Sequence, residues 1–312
     1  MKFGGIVTAT ITPLSSPRQI DADRLAHHCN VLFAEGCSFV STFGTTGEGA
    51  SFSADQKIDT LKKLKEHGLE MSRFIPAIMT SSFADAGKML AAYHALGCAA
   101  ALVLPPFFYT DISDEGVIDY FEAMLDVAEN PEIPLLLYNI PRYSGTHFTP
   151  KLVEKLVIRF GPQIVGIKDS TGNLENGLTL VKCFPNLSIF TGNDRVMPPL
   201  VAAGGAGMIG GMPNLFASDL VKLFSSIGDS STTDLLEKAA KRIEIVDSNG
   251  GLNVLKAAVA HRYRDNSWCQ VAPPLEQISK SAFDMLLPLL EVPTLAQHLD
   301  PSHFNASTKV TT

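Results

Sequence analysis

The sequence predicts an α/β chain in which eight strand–helix pairs close into a (β/α)8 barrel, followed by a C-terminal extension made of helices alone. Three observations predict it. Short apolar runs alternate with segments of helical spacing. Eight such pairs fit into roughly 210 residues, against about 250 for a typical barrel of this kind. Beyond about Pro213 the strand-like runs cease. The competing arrangement, a doubly wound open sheet, often carries a G-x-G-x-x-G turn after its first strand; here TPLSSPR follows instead.

The elements follow in order. Gly5–Ile11 is a first strand-like run closed by Thr12–Pro13. Asp21 or Asp23 can cap a helix through Leu25, Cys29 and Leu32 to Gly36. Cys37–Phe43 is the second run. Ser53 with Gln56 forms a capping-box pattern opening a helix that ends near Gly68. Phe74–Met79 is the third run, and a helix through Met89, Leu90 and Tyr93 stops at Gly97. Ala99–Leu104 is the fourth, broken by Pro105–Pro106; Ser113 then starts a helix with Asp114 and Glu115 in its first turn. Leu135–Tyr138 is the fifth. Thr149 caps and Pro150 opens the next helix, which Gly161 ends. Ile164–Lys168 is the sixth, Leu187–Phe190 the seventh and Met208–Ile209 the eighth. The expected division is a barrel over 1–214, a helical extension over 215–300 and a polar, frayed tail over 301–312. The extension reads as helices Leu215–Ile227, Thr233–Val246, Leu252–Tyr263 and Ser279–Leu290.

Composition excludes several classes. Of 312 residues, 46% are hydrophobic and 18% charged, enough apolar material for a large core. The net charge of −7 and the lack of a Lys/Arg run speak against nucleic acid and anionic membranes as partners. No apolar run spans a bilayer, and the N-terminal stretch has no signal-peptide pattern. Five scattered cysteines without a CxxC point to reduced thiols and a cytoplasmic location, with no zinc site.

The chemistry sits after the strands. Lys168 ends the sixth run. Burial of an amine disfavours its charged form, and a neutral amine attacks a carbonyl to form a Schiff base. Tyr138 ends the fifth run, where a phenol can move protons. Gly44–Thr45–Thr46–Gly47–Glu48 after the second run combines exposed amides with two hydroxyls, which suits a carboxylate. Pro105–Pro106–Phe107–Phe108–Tyr109 follows the fourth, and Gly192–Asn193–Asp194 the seventh. Taken alone, Lys168 reads as a solvated lysine, the 44–48 stretch as an ordinary loop and Phe107 and Phe108 as packing, while the stretch at Gly192 reads equally as a turn. In a barrel, however, Thr45, Tyr109, Tyr138, Lys168 and Gly192 face one another across the C-terminal mouth.

Taken together, GTTGE at 44–48, YNIP at 138–141 and GIKDSTG at 166–172 resemble the dihydrodipicolinate synthase / N-acetylneuraminate lyase family of class I aldolases. The resemblance covers about Phe3 to Leu290. It implies a TIM barrel that forms a homotetramer or dimer of dimers. It implies that Lys168 forms a Schiff base with pyruvate, with Tyr138 as proton shuttle and Thr45 and Tyr109 completing a hydroxyl relay. Tyr109 would reach the neighbouring subunit's site. Thr46 would hold the pyruvate carboxylate, and Gly192 and Ile209 would offer carbonyls and shape around the imine. No metal or other cofactor is implied.

One departure bears on the second substrate. Dihydrodipicolinate synthases carry an arginine for that substrate's carboxylate where this chain has Tyr143, and Arg142 stands one residue early. Arg and Tyr are not interchangeable in that role. Gly211 stands where neuraminate lyases place a sugar-contacting serine. The expected activity is therefore condensation of pyruvate with an aldehyde, as in 4-hydroxy-tetrahydrodipicolinate synthase. The alternatives within the family are cleavage or dehydration of another 2-oxo acid: N-acetylneuraminate, a 2-keto-3-deoxy sugar acid or a hydroxyproline-derived pyrroline carboxylate. A non-catalytic 2-oxo-acid binder is disfavoured because lysine, tyrosine and threonine occur together. A metal-dependent class II aldolase lacks its histidine and carboxylate cluster.

Overall fold

The structure, a computed structural model, describes residues 2–15, 18–229 and 232–294. Eight parallel strands form the centre: β1 Gly5–Ala9, β2 Phe39–Ser41, β3 Ala77–Ile78, β4 Ala101–Val103, β5 Leu135–Asn139, β6 Ile164–Asp169, β7 Ser188–Thr191 and β8 Gly207–Gly210. From β3 to β8 each strand pairs with the next in chain order, β8 pairs with β1, and β1 with β2. Between β2 and β3 the ladder shrinks to a bridge at Val40 and Phe74, helped by amides of Ile75 and Ala77 donating to the carbonyls of Val40 and Thr42, both at 2.8 Å. The ring is thus nearly closed, the (β/α)8 barrel expected from the sequence.

The helices between the strands are α1 Ala22–Ala34, α2 Ala54–Glu66, α3 Phe83–Leu96, α4 Asp114–Val127, α5 Pro150–Phe160, α6 Leu174–Cys183 and the short α7 Met197–Ala202. Their starts obey local chemistry. Asp21, Ser82, Ser113 and Thr149 each accept a hydrogen bond from the first-turn backbone. Ser53 and Gln56 form a reciprocal capping box. Then come α8 Pro213–Ser225, α9 Thr232–Ser248, α10 Leu252–Tyr263 and α11 Lys280–Leu290. The expected helices of the extension are present, shifted by one to two residues at most ends. The expected tail over 301–312 lies outside the described residues.

Two features were not read from the sequence. Leu14–Ser15 pairs with Gln19–Ile20 in a small hairpin after β1. Pro141–Ser144 forms one helical turn, with Pro at its first position and Gly145 in the left-handed conformation at its end.

Apolar side chains divide into two layers. One fills the barrel: Val7, Leu102, Leu136, Tyr138, Phe190 and Ile209 belong to it. The other lies between strands and helices and includes Leu135, Leu137, Ile167, Ile189 and Met208. This is the two-residue alternation of strands. One residue of β6, Val165, is left out of the register with β5, after which Tyr138 lies opposite Lys168. Both then fall on the interior parity.

Candidate active site

Lys168 is 4% exposed and Tyr138 1% exposed. The Lys168 amine lies 4.2 Å from the centre of the Tyr138 ring. The Tyr138 hydroxyl shares a 2.9 Å hydrogen bond with Thr45 Oγ1. Amine, phenol and alcohol therefore form one contiguous group at the C-terminal ends of β6, β5 and β2. Lys168 and Tyr138 stand on strands whose apolar neighbours are buried on both faces, and Thr45 stands in the loop after β2.

A polar clamp fixes the ends of β5 and β6. The Asn139 amide donates to Asp169 Oδ1 at 2.9 Å. The Asp169 carboxylate also accepts from the Thr171 amide at 3.2 Å, the Thr171 hydroxyl at 3.0 Å and the Asn176 side chain at 2.9 Å. The Asn139 side-chain oxygen, Oδ1, accepts from the Phe148 amide. A fully satisfied network of this kind holds one geometry, here immediately beside Tyr138 and Lys168. Sequence reasoning missed it, although YN and KD dipeptides at adjacent strand ends were a signal.

The Thr45–Thr46 loop faces the same group. Both threonines are half-buried. Their backbone amides donate to no acceptor among the described residues, which leaves two donors for an anion. Ile209 is fully buried in the barrel interior with Tyr138 and Phe190. Gly192 follows β7, its amide donating to the Asp169 carbonyl at 2.9 Å. A Cβ at Gly192 would meet Ser170 Oγ, so a side chain there would require that hydroxyl to turn away.

The remaining expected residues stand outside this cluster. Tyr109 is 70% exposed and packs edge-to-face on Phe108, 5.3 Å between ring centres. It is not brought to the amine of its own chain. Tyr143 is 54% exposed. The exposed Arg142 donates to the Tyr143 hydroxyl at 2.7 Å and lies over its ring. That pair forms the outer rim, on the helical turn 141–144.

Two buried ionic features were not anticipated. Glu48 and Lys256 pair at 2.5 Å with fully buried side chains. Asp194, 1% exposed, has neither carboxylate oxygen partnered among the described residues. Burial, and then the charge of Asp247, push its carboxyl up to about 7. It borders a cavity of about 10 Å³, roughly the least that holds one water. Among the described residues no group of three or more His, Cys, Asp or Glu is placed to hold a metal. No described helix is long and apolar enough to cross a membrane. None of the five cysteines is disulfide-bonded.

Comparison with known proteins gives consistent findings. The model of the dihydrodipicolinate synthetase family matches residues 2–287. An uncharacterized DapA-like lyase of Chloroflexus aurantiacus is 34% identical over 213 residues, 68% of this chain and 71% of that protein. The crystal structure of dihydrodipicolinate synthase from Agrobacterium tumefaciens superposes with a TM-score of 0.85 at 25% identity, covering 92% of this chain and 98% of that one. A 2-keto-3-deoxygluconate aldolase of Sulfolobus, solved with D-KDPG, has the same fold, with a TM-score of 0.83 at 20% identity over 92% of this chain and 95% of that one.

Proposed function

The chain belongs to the dihydrodipicolinate synthetase family, a family of class I aldolase-type lyases, and on that premise we propose that it is a pyruvate-dependent Schiff-base lyase or synthase, condensing pyruvate with an aldehyde in the manner of 4-hydroxy-tetrahydrodipicolinate synthase. One observation carries the reading: a buried lysine amine stacked on a buried tyrosine, whose hydroxyl is bonded to Thr45.

In this reading the Lys168 amine adds to the keto carbon of pyruvate, and loss of water leaves a protonated imine. The imine draws electrons from the adjacent methyl group, a methyl proton leaves, and the resulting enamine attacks the aldehyde carbon. Hydrolysis or ring closure of the product returns the free amine. Tyr138 moves protons to and from the carbinol oxygen and the new alcohol, and Thr45 exchanges protons with it along the 2.9 Å bond. The free amides at Thr45 and Thr46 hold the pyruvate carboxylate. Gly192 and Ile209 shape the pocket around the imine. No metal or separate cofactor takes part. A second chain supplies Tyr109 to the relay, which accords with the exposure of that ring, and the working form is a homotetramer or dimer of dimers in the cytoplasm. The barrel over 1–214 is the catalytic unit, with the helices of the extension between 215 and 290 packed on it.

A second reading is favoured by a specific observation. The residue in the place of the synthases' arginine is Tyr143, and the neighbouring Arg142 is engaged with its ring and hydroxyl. Lyase or aldolase action on a 2-keto-3-deoxy sugar acid, N-acetylneuraminate or a pyrroline carboxylate then replaces the synthase reaction while keeping the same imine chemistry. Steady-state assays with pyruvate plus aspartate semialdehyde, with N-acetylneuraminate and with 2-keto-3-deoxygluconate, run side by side, decide between the readings. Turnover with the semialdehyde alone supports the first. Turnover with only one of the other two overturns it in favour of the second.

A further inference from the structure

The loop that offers amides to the substrate carboxylate is held in an unusual shape. Phe43 and Glu48 both adopt positive φ, 60° and 55°, which non-glycine residues rarely do. The Glu48 amide donates to the Thr45 carbonyl at 3.1 Å, and the Gly49 amide to the Gly44 carbonyl at 3.0 Å. A Cβ at Gly49 would overlap the Phe43 carbonyl. The chain is thus wound back on itself across Thr45 and Thr46, with Glu48 closing the turn.

What holds Glu48 lies in the C-terminal extension. Its Oε2 accepts from Lys256 Nζ of α10 at 2.5 Å, and its Oε1 from the Ala272 amide at 2.6 Å. Both oxygens are occupied, and both side chains of the ion pair are fully buried. Gly211 lies beside both Thr46 and Leu255: a Cβ on it would come within 3.2 Å of the first and 3.4 Å of the second, the residue before Lys256. So α10 grips the loop through the Glu48 pair and approaches Thr46 with Gly211 between them.

We infer that Lys256, acting through Glu48, is a positioning residue for the Thr45–Thr46 amides, so that recognition of the 2-oxo-acid carboxylate depends on a helix outside the barrel. This rests on the pyruvate reading given above. A buried ion pair is poor evidence of a role in stability alone, because desolvation offsets most of its attraction and apolar residues of similar volume pack as well. A charged pair with both carboxylate oxygens bonded does supply one fixed geometry, which the left-handed Glu48 backbone needs.

The test is reductive trapping. Wild type, Lys256→Met and Lys256→Arg are incubated with graded pyruvate and borohydride, and covalent pyruvate is read by mass. Lys256→Met should need about tenfold more pyruvate for half-maximal trapping, with a much smaller change in the limiting rate, since small misplacements of a binding group are costly. Lys256→Arg should recover part of the loss. A folded Lys256→Met with the wild-type half-saturation overturns the proposal. The wild type alone provides a second measurement should the methionine variant not fold. Pyruvate should slow amide exchange both in the peptide carrying Glu48 and in the peptide carrying Ala272. Protection of the first without the second also overturns the proposal. A wild type that traps no pyruvate at any concentration sinks the lyase reading itself, a result distinct from either of these.

Discussion

The inner and outer parts of the candidate site are built differently. At the inner end, Lys168 and Tyr138 are buried side chains on paired strands, and a network centred on Asp169 fixes the strand ends. At the outer rim, Arg142 and Tyr143 are exposed on one helical turn and bonded mainly to each other. The contrast teaches where each half of the function resides. In the proposed reading, imine chemistry needs a desolvated amine in a fixed place, which the strands would supply. Choice of the second substrate needs only contacts at the rim, and loops can change without disturbing the barrel.

The largest expected effect breaks the inner end. Lys168→Ala should abolish pyruvate trapping, measured by mass after borohydride, while circular dichroism shows an intact fold; retained trapping would move the Schiff base to another lysine. Next, Tyr138→Phe should lower turnover by about 10²- to 10⁴-fold, the usual worth of a positioned acid–base group, yet still form some imine. Wild-type turnover would remove Tyr138 from proton transfer.

The rim should respond in a different way. Arg142→Ala should leave pyruvate half-saturation unchanged and raise the KM of the second substrate by about tenfold or more, if that substrate carries a carboxylate. An equal rise for pyruvate would erase the distinction between the two regions.

The smallest effect is on stability and its pH dependence. The Asp194 carboxyl is raised by burial to about 7 from an ordinary value near 3.8. Between those values the folded chain binds more protons than the unfolded one, so this group's contribution falls as pH rises from about 4 to 7. Asp194→Asn should therefore raise the midpoint of urea unfolding at pH 8, by about 1–3 kcal/mol in free energy, with little change at pH 4. A variant less stable at pH 8 would mean that the carboxylate has a stabilising partner. His28 works in the opposite direction. Burial holds its ring down to about 3 while it bonds Tyr263 and Asn214, so its contribution is lost as pH falls below about 6.5.

The inner end was legible in the sequence because its signals are local. A parallel strand buried on both faces reads as an apolar run, and Tyr138 and Lys168 interrupt such runs near their ends. Caps at Ser53, Ser113 and Thr149 are equally local, since each bonds a residue three positions on. What escaped is long-range. Glu48 reads as one more loop residue, and nothing near it announces a partner 208 positions away. Asp194 was noticed only within a turn, because burial depends on how α8 and α9 pack over it. Pro141 and Gly145 did mark the turn carrying Arg142 and Tyr143, but YNIP draws the eye to Tyr138 instead.

Whether Lys168 is the imine-forming amine is tested most directly by reducing the wild-type protein with borohydride in the presence of pyruvate and mapping the modified peptide. A single addition of reduced pyruvate, on Lys168, is expected. Addition to another lysine, or none at saturating pyruvate, would contradict it.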